Sequence, residues 1–181
     1  MTEVVQSVEG IPQIPEELLL YDIDKIIGGV NKFGATRIKN EALYSTHEVS
    51  SKIHEFLSPY FDGEIDIRYQ VIKTQLPIHI DNHATHIFNY VLLTGGDKVL
   101  TRWWNMPKEK QLVFKPNVPH DICRGDDQDD DQLIYETLLP LKKWYKLQVS
   151  IPHDISIIET PRLGITVWEK KDEITSTKGE F

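Results

Sequence analysis

The feature that most constrains this chain is a series of short β-rich runs between residues 64 and 169. The first run, "EIDIRYQV", alternates strictly: Ile65, Ile67, Tyr69 and Val71 share one face, and polar residues share the other. Such alternation predicts a half-buried strand. Further runs, separated by turns rich in Gly and Pro, lie at about 86–94, 97–104, 110–115, 132–138, 144–151 and 162–169. Many short strands at this spacing predict an antiparallel sandwich or barrel.

Helical patterns occur only before these strands. "PEELLLYDIDKIIGGV" has Pro15 at a first helical position and a glycine pair that stops the pattern. In "STHEVSSKIHEFLSPYF", Ser45 and Glu48 match a capping box, and an apolar stripe follows until Pro59. We therefore expect helices in the N-terminal part of the chain.

Size and composition favour one acidic globular domain. The 181 residues fit a domain over 1–170, with a helical part at about 14–60, a barrel at about 64–169 and a flexible tail at 171–181. The net charge of −8 argues against nucleic-acid binding, which needs a basic surface. No secretory signal or bilayer-spanning apolar run is visible, so we expect no membrane association and a cytoplasmic location.

The stretch "LPIHIDNHATHIF", residues 76–88, crowds polar side chains between apolar ones. His79 and Asp81 lie two apart in a β-like run, so their side chains leave the same face. A histidine from another strand would complete a triad of two histidines and one carboxylate. That triad holds Fe(II) and leaves coordination positions open. A metal would also compensate Asp81, whose burial among apolar neighbours is otherwise costly.

Two histidines are candidates for the third ligand. His120 leads into the acidic segment "RGDDQDDDQ", where a rigid position is hard to maintain, whereas His153 leads through a turn to Arg162. Arg162 opens the alternating strand "RLGITVW" and shares a face with Gly164, which indicates a cation pointing into a pocket. A guanidinium binds a carboxylate in bidentate geometry. His153 is favoured, and His120 stays the alternative.

The order His79-x-Asp81, His153 and then Arg162 resembles the pattern of Fe(II)/2-oxoglutarate-dependent oxygenases over roughly residues 65–169. The resemblance implies a mainly β fold: a double-stranded β-helix, or jelly-roll, with N-terminal helices packed on it. It also implies that His79, Asp81 and His153 are the catalytic iron ligands and that Arg162 binds the distal carboxylate of 2-oxoglutarate.

The resemblance also implies two weaker contacts with 2-oxoglutarate. Tyr69 lies ten residues before His79, where some members of the family use a tyrosine hydroxyl on the same carboxylate. Many members place a serine or threonine two residues after the arginine, where this chain has Gly164. We expect Thr166, two residues further on the same face, to replace that hydroxyl.

The implied activity is that of a non-haem iron dioxygenase, most simply a hydroxylase, that acts with O2 on a small-molecule or peptide substrate. The N-terminal helices either pack beneath the barrel or form the surface of a homodimer. Two alternatives remain open. One is a cupin-like isomerase or lyase that uses zinc or manganese on His79, His83 and His86, and the other is a non-catalytic jelly-roll binding module. Otherwise we expect His83 and His86 to be hydrogen-bonded polar residues, with a contact to substrate or to a metal ligand as the alternative for one of them. We expect Trp103-Trp104 to be packing residues, with the lining of a substrate mouth as the alternative.

Overall fold

Strands dominate the computed structural model, which describes residues 3–19, 26, 37–38, 41–42, 44–81, 84–107, 120–122 and 132–169. In chain order the strands are β1 (Val5–Ser7), β2 (Arg37–Ile38), β3 (Glu41–Ala42), β4 (Tyr44–Glu48), β5 (Ile65–Ile72), β6 (Leu76–Asp81), β7 (His86–Leu93), β8 (Thr101–Asn105), β9 (His120–Ile122), β10 (Gln132–Thr137), β11 (Trp144–Gln148), β12 (His153–Ile155) and β13 (Arg162–Glu169). Helix α1 spans Ser51–Leu57, and short 3-10 helices span Glu16–Leu18 and Ser58–Tyr60. No helix in these ranges is both long and apolar enough to cross a membrane.

The strand order defines the fold as a double-stranded β-helix. One sheet has the order β1-β11-β7-β13-β5-β4 and the other has the order β10-β8-β12-β6-β9. Within them, β5-β13-β7-β11 and β6-β12-β8-β10 are two four-stranded antiparallel halves. The chain alternates between these halves except from β8 to β10, which pair with each other in the same half. Eight strands in two such sheets form a jelly-roll. The predicted mainly β jelly-roll is therefore confirmed.

The alternating strands lie where the sequence predicts them. β5 and β13 match the predicted runs, and they pair antiparallel from Arg162 opposite Ile72 to Glu169 opposite Ile65. The run predicted at 110–115 lies outside the described residues. Because side chains alternate along both strands, one face of the six-stranded sheet is apolar and the other carries polar groups.

The N-terminal part of the chain covers the apolar, outer face of this sheet. Ile14, Ile53 and Leu57 pack in one core cluster with side chains of β5 and β13. The indole Nε1 of Trp144 donates a hydrogen bond to the carbonyl oxygen of Pro12 at 2.9 Å. The opposite face of the sheet is thereby left to face the five-stranded sheet.

Helix α1 starts later than the capping box predicts. Tyr44–Glu48 forms strand β4, which pairs with β5, and the helix begins at Ser51. The predicted cap at Ser45 is therefore wrong. Pairing with the sheet satisfies the backbone of this segment and buries Ser45, an outcome that the local pattern does not reveal. Ser50 is the cap instead, and its Oγ accepts a hydrogen bond from the backbone N–H of Ile53 at 3.4 Å.

The other N-terminal helix is only partly described. Glu16–Leu18 is a 3-10 turn, and most of the predicted segment to Gly28 lies outside the described residues. The tail at 171–181 also lies outside them, so its flexibility stays a prediction.

Candidate metal centre and cavity

A cavity of about 410 Å³ lies between the two sheets. Its wall combines polar residues from the inner face of the six-stranded sheet with residues of β6, β8 and β12 on the other sheet. The lining residues that matter for the site are Arg68, Gln70, Leu76, His79, Asp81, Ile87, Asn89, Thr101, Trp103, Leu147, His153, Ile155, Arg162 and Trp168.

His79, Asp81 and His153 meet at this cavity. His79 and Asp81 leave one face of β6, and His153 pairs in register with His79 from β12. The two imidazole centroids are 4.3 Å apart, and His79 Nε2 lies 3.8 Å from Asp81 Oδ1. Potential ligand atoms of the three side chains all lie within 4.8 Å of one another. Among the residues that the structure describes, no other group of three His, Cys, Asp or Glu side chains is this close.

Both imidazoles are oriented by backbone carbonyls. Nδ1 of His79 lies 2.8 Å from the carbonyl oxygen of Pro77, and Nδ1 of His153 lies 2.9 Å from that of Ile151. A carbonyl oxygen only accepts hydrogen bonds, so each Nδ1 carries a proton, and in the neutral imidazole each Nε2 then keeps its lone pair. This is the tautomer that a metal binds through Nε2, with the second nitrogen held by a backbone partner. Two nitrogens and one carboxylate suit Fe(II) or a similar divalent ion.

An ion pair behind the sheet fixes strand β12. Asp154 follows His153 and therefore projects from the opposite face. Its carboxylate accepts hydrogen bonds from Arg102 Nε at 2.9 Å and from Nη2 at 2.6 Å, across a register pair of β12 and β8. A bidentate pair of this kind holds both strands in place, and this holds the backbone that presents His153.

Arg162 places a buried cation in the same cavity. Its side chain is only 5% exposed, and its Nη1 makes a long contact of 3.4 Å with Thr101 Oγ1. No carboxylate of the described residues pairs with the guanidinium. Burial lowers the pKa of Arg162 from its usual value to about 10, so the group is still protonated at neutral pH. A buried cation without a counter-ion is costly, and an anionic ligand would remove that cost.

Gly95 shapes the backbone against which Arg162 packs. It has φ +86°, and a Cβ added to it would lie 2.9 Å from the Cβ of Arg162. Its carbonyl oxygen accepts hydrogen bonds from the backbone N–H groups of Glu159 and Thr160 at 2.9 and 3.0 Å. The sequence identifies a turn at this glycine, but it does not show that the turn supports the arginine.

The predicted role of Tyr69 is wrong. Tyr69 is 4% exposed and packs in the outer core cluster with Ile53 and Leu57, on the face of β5 away from the cavity. Alternation along β5 sends Arg68 and Gln70 inward instead. The alternation in "EIDIRYQV" already places Tyr69 on the apolar face, and a cosubstrate contact is incompatible with that face.

Thr166 and Gly164 also differ from what the resemblance implies. Thr166 is fully buried, does not line the cavity, and places its Oγ1 3.4 Å from the carbonyl oxygen of Arg68. The expected replacement hydroxyl is therefore engaged with the backbone. At Gly164 a Cβ would lie 3.1 Å from the carbonyl oxygen of Tyr90, so a serine there would crowd the neighbouring strand.

The other candidate site residues lie on different strands, and only some of their side chains face the cavity. His86 lies on β7 in register with Gln148 and does not line the cavity, whereas Trp103 lines it and is fully buried. Trp104 faces the other way, with the Arg102 guanidinium 5.2 Å from its ring. The backbone of His120 lies in register with Asp81. His83 lies outside the described residues.

No protein-family model matches the sequence, and comparison with curated proteins finds no match. Solved structures with some likeness include oxalate oxidase with the substrate analogue glycolate, at 10% identity and a TM-score of 0.40 over 80% of this chain and 59% of that chain. Peruvianin-I, a cysteine peptidase from Thevetia peruviana latex, is 8% identical at a TM-score of 0.41 over 91% and 79%. Vicilin from Corylus avellana is 10% identical at 0.38 over 77% and 31%.

The chain thus spans less than two thirds of the oxalate oxidase chain, at 59%, and less than half of the vicilin chain, at 31%. Scores at this level carry no argument about function. The assignment of the fold therefore depends on the strand order, and the function must be inferred from the cavity.

Proposed function

We propose that this protein is an Fe(II)- and 2-oxoglutarate-dependent dioxygenase, and that His79, Asp81 and His153 hold the iron. The observation that carries the proposal is the buried Arg162, which shares the cavity with the His-Asp-His cluster and lacks a carboxylate partner among the described residues. A metal site alone fits many activities. A metal site with an uncompensated cation beside it requires an anionic ligand as well.

The spacing of the two sites suits a short dicarboxylate. Arg162 contacts Thr101, which pairs in register with Ile155, two residues after His153 on β12. Two residues of strand span about 7 Å. A ligand that binds the metal at one end and the guanidinium at the other therefore needs a carboxylate at its far end, which 2-oxoglutarate has. The guanidinium would bind that carboxylate in bidentate geometry.

The walls between the two sites are apolar. Leu76 and Ile155, at 6% and 8% exposed, lie in the sheet beside Thr101 and the histidines. Exclusion of water by such walls strengthens the pairing of the guanidinium with a carboxylate. Ile87 and Leu147, which pair in register, and Trp168, six residues along β13 from Arg162, also line the cavity. We assign this part of the cavity to the substrate.

When bound, iron and 2-oxoglutarate would supply the oxidative chemistry, in which O2 oxidises 2-oxoglutarate to succinate and CO2 and the second oxygen atom enters the substrate. The protein's own contribution is to orient both imidazoles through the carbonyl groups of Pro77 and Ile151, and to hold the far carboxylate at Arg162.

Turnover of 2-oxoglutarate without added substrate tests the proposal. We expect purified protein with Fe(II), ascorbate and O2 to form succinate slowly, and the Arg162→Met variant to form none while still binding Fe(II). Tyr69→Phe is the matched control, because that side chain faces away from the cavity, and its rate should equal that of the wild type. No succinate from the wild type, together with zinc in the purified protein, would contradict the proposal and favour a cupin-like enzyme.

A further inference from the structure

Asn89 is a buried polar residue that the proposed cofactors leave unexplained. It lies on β7, is 6% exposed and lines the cavity. Its Oδ1 is buried and has no hydrogen-bond partner among the described residues. An unsatisfied amide oxygen in a protein interior is destabilising, and each one in a native structure needs an explanation.

Packing does not explain the asparagine. The neighbours two residues away on the same face of β7 are Ile87 and Val91, at 6% and 1% exposed. An aliphatic side chain would continue this row without burying an unpaired amide oxygen. A polar group in an apolar row that ends in a cavity is typical of a contact with a bound ligand.

The location of Asn89 relates it to Arg162. Its Oδ1 lies 3.5 Å from the position that a Cβ on Gly164 would take, and Gly164 is two residues from Arg162 on the same face of β13. The side chain of Asn89 therefore lies over the space that the glycine leaves. Position 164 is where the resemblance implies a hydroxyl for the far carboxylate, and the carbonyl of Tyr90 crowds any side chain there.

We propose that Asn89 is a ligand-positioning residue whose side-chain amide donates a hydrogen bond from Nδ2 to the carboxylate held by Arg162. The inference depends on the proposed function, since it names a second contact for the same ligand. The amide nitrogen and oxygen exchange places by a rotation of the side chain, so an anion in the cavity would draw the NH2 group toward itself. The donor that Gly164 lacks is then supplied by the neighbouring strand.

Binding of two keto acids to the Fe(II)-loaded protein without oxygen separates this role from a structural one. 2-Oxoglutarate has the far carboxylate, and pyruvate has the same metal-binding end without it. We expect Asn89→Leu to raise the dissociation constant of 2-oxoglutarate about tenfold to a hundredfold, as for a lost hydrogen bond to a charged group, and to leave that of pyruvate unchanged. Asn89→Asp, which adds a negative charge, should weaken 2-oxoglutarate further.

Gln148→Leu is the matched control. Gln148 also has a buried side-chain oxygen without a partner among the described residues, but it does not line the cavity, so both affinities should stay at the wild-type value. Unchanged 2-oxoglutarate affinity in Asn89→Leu would overturn the role of Asn89 while leaving the proposed function intact. Equal weakening of both keto acids would indicate a structural role and overturn it as well. A wild type that binds no 2-oxoglutarate would overturn the proposed function itself.

Discussion

Replacing Arg162 by methionine should stabilise the ligand-free protein while removing its anion site. The pKa of the guanidinium falls from its usual value to about 10 on burial, which corresponds to about 3 kcal/mol of unfavourable free energy for the charged form at neutral pH. Methionine fills a similar volume without a charge, and the only hydrogen bond described for the guanidinium, to Thr101, is long at 3.4 Å. We expect Arg162→Met to raise the free energy of unfolding by about 1–3 kcal/mol and the Tm by about 2–10 °C.

Urea and thermal unfolding of metal-free protein measure this change, and Arg102→Met is the comparison. Arg102 pairs with Asp154, which is 3% exposed, so its removal leaves a buried carboxylate without its partner. The free energy of unfolding of that variant should be about 3–5 kcal/mol lower than that of the wild type. A loss of more than about 1 kcal/mol in Arg162→Met would refute the reasoning, because it would mean that the guanidinium has a stabilising partner within the protein.

Three further outcomes follow from the geometry. Tyr69→Phe should leave the affinity for 2-oxoglutarate unchanged in a calorimetric titration, because the ring lies in the outer core. A tenfold loss of affinity would indicate that the hydroxyl does contact the ligand. Gly95→Ala should lose about 1–3 kcal/mol in urea unfolding and weaken 2-oxoglutarate binding, because its Cβ would meet Arg162 at 2.9 Å. Gly63→Ala is the control, because Gly63 has φ +80° but nothing lies within 4 Å of an added Cβ; it should lower stability without weakening 2-oxoglutarate binding. Equal loss of 2-oxoglutarate affinity in the two variants would contradict this account of Gly95. Because a bound carboxylate needs the protonated guanidinium, affinity for glutarate should fall as the pH rises through about 10, and an affinity that stays constant well above that pH would contradict the lowered pKa of Arg162.

Local periodicity is sufficient to predict the barrel strands. In β5 and β13 every second residue is aliphatic or aromatic and buried, so the period of two in the sequence predicts both the strand and its two faces. The N-terminal part is less predictable. Residues Tyr44–Glu48 carry a good capping box, yet they pair with β5, because a sheet edge distant in sequence competes for the same backbone.

The site divides in the same way between local and non-local information. Spacing along the chain predicts His79 and Asp81, since two residues on one strand share a face, and it favours His153 through the strand that follows. It does not reveal Asn89 or Thr101, because these residues reach the cavity only through strand pairing across the barrel. The resemblance to a family implied a role for Tyr69 that alternation along its own strand excludes.

Anaerobic absorption spectroscopy of the Fe(II) protein with 2-oxoglutarate tests the proposed centre most directly. A visible charge-transfer band arises when the keto acid binds to the iron, and we expect it in the wild type. The band should be lost in His153→Ala and retained in His86→Ala, because His86 lies in a strand beside Gln148 and does not line the cavity. A wild type without the band, or a His153→Ala variant that keeps it, would contradict a centre formed by His79, Asp81 and His153.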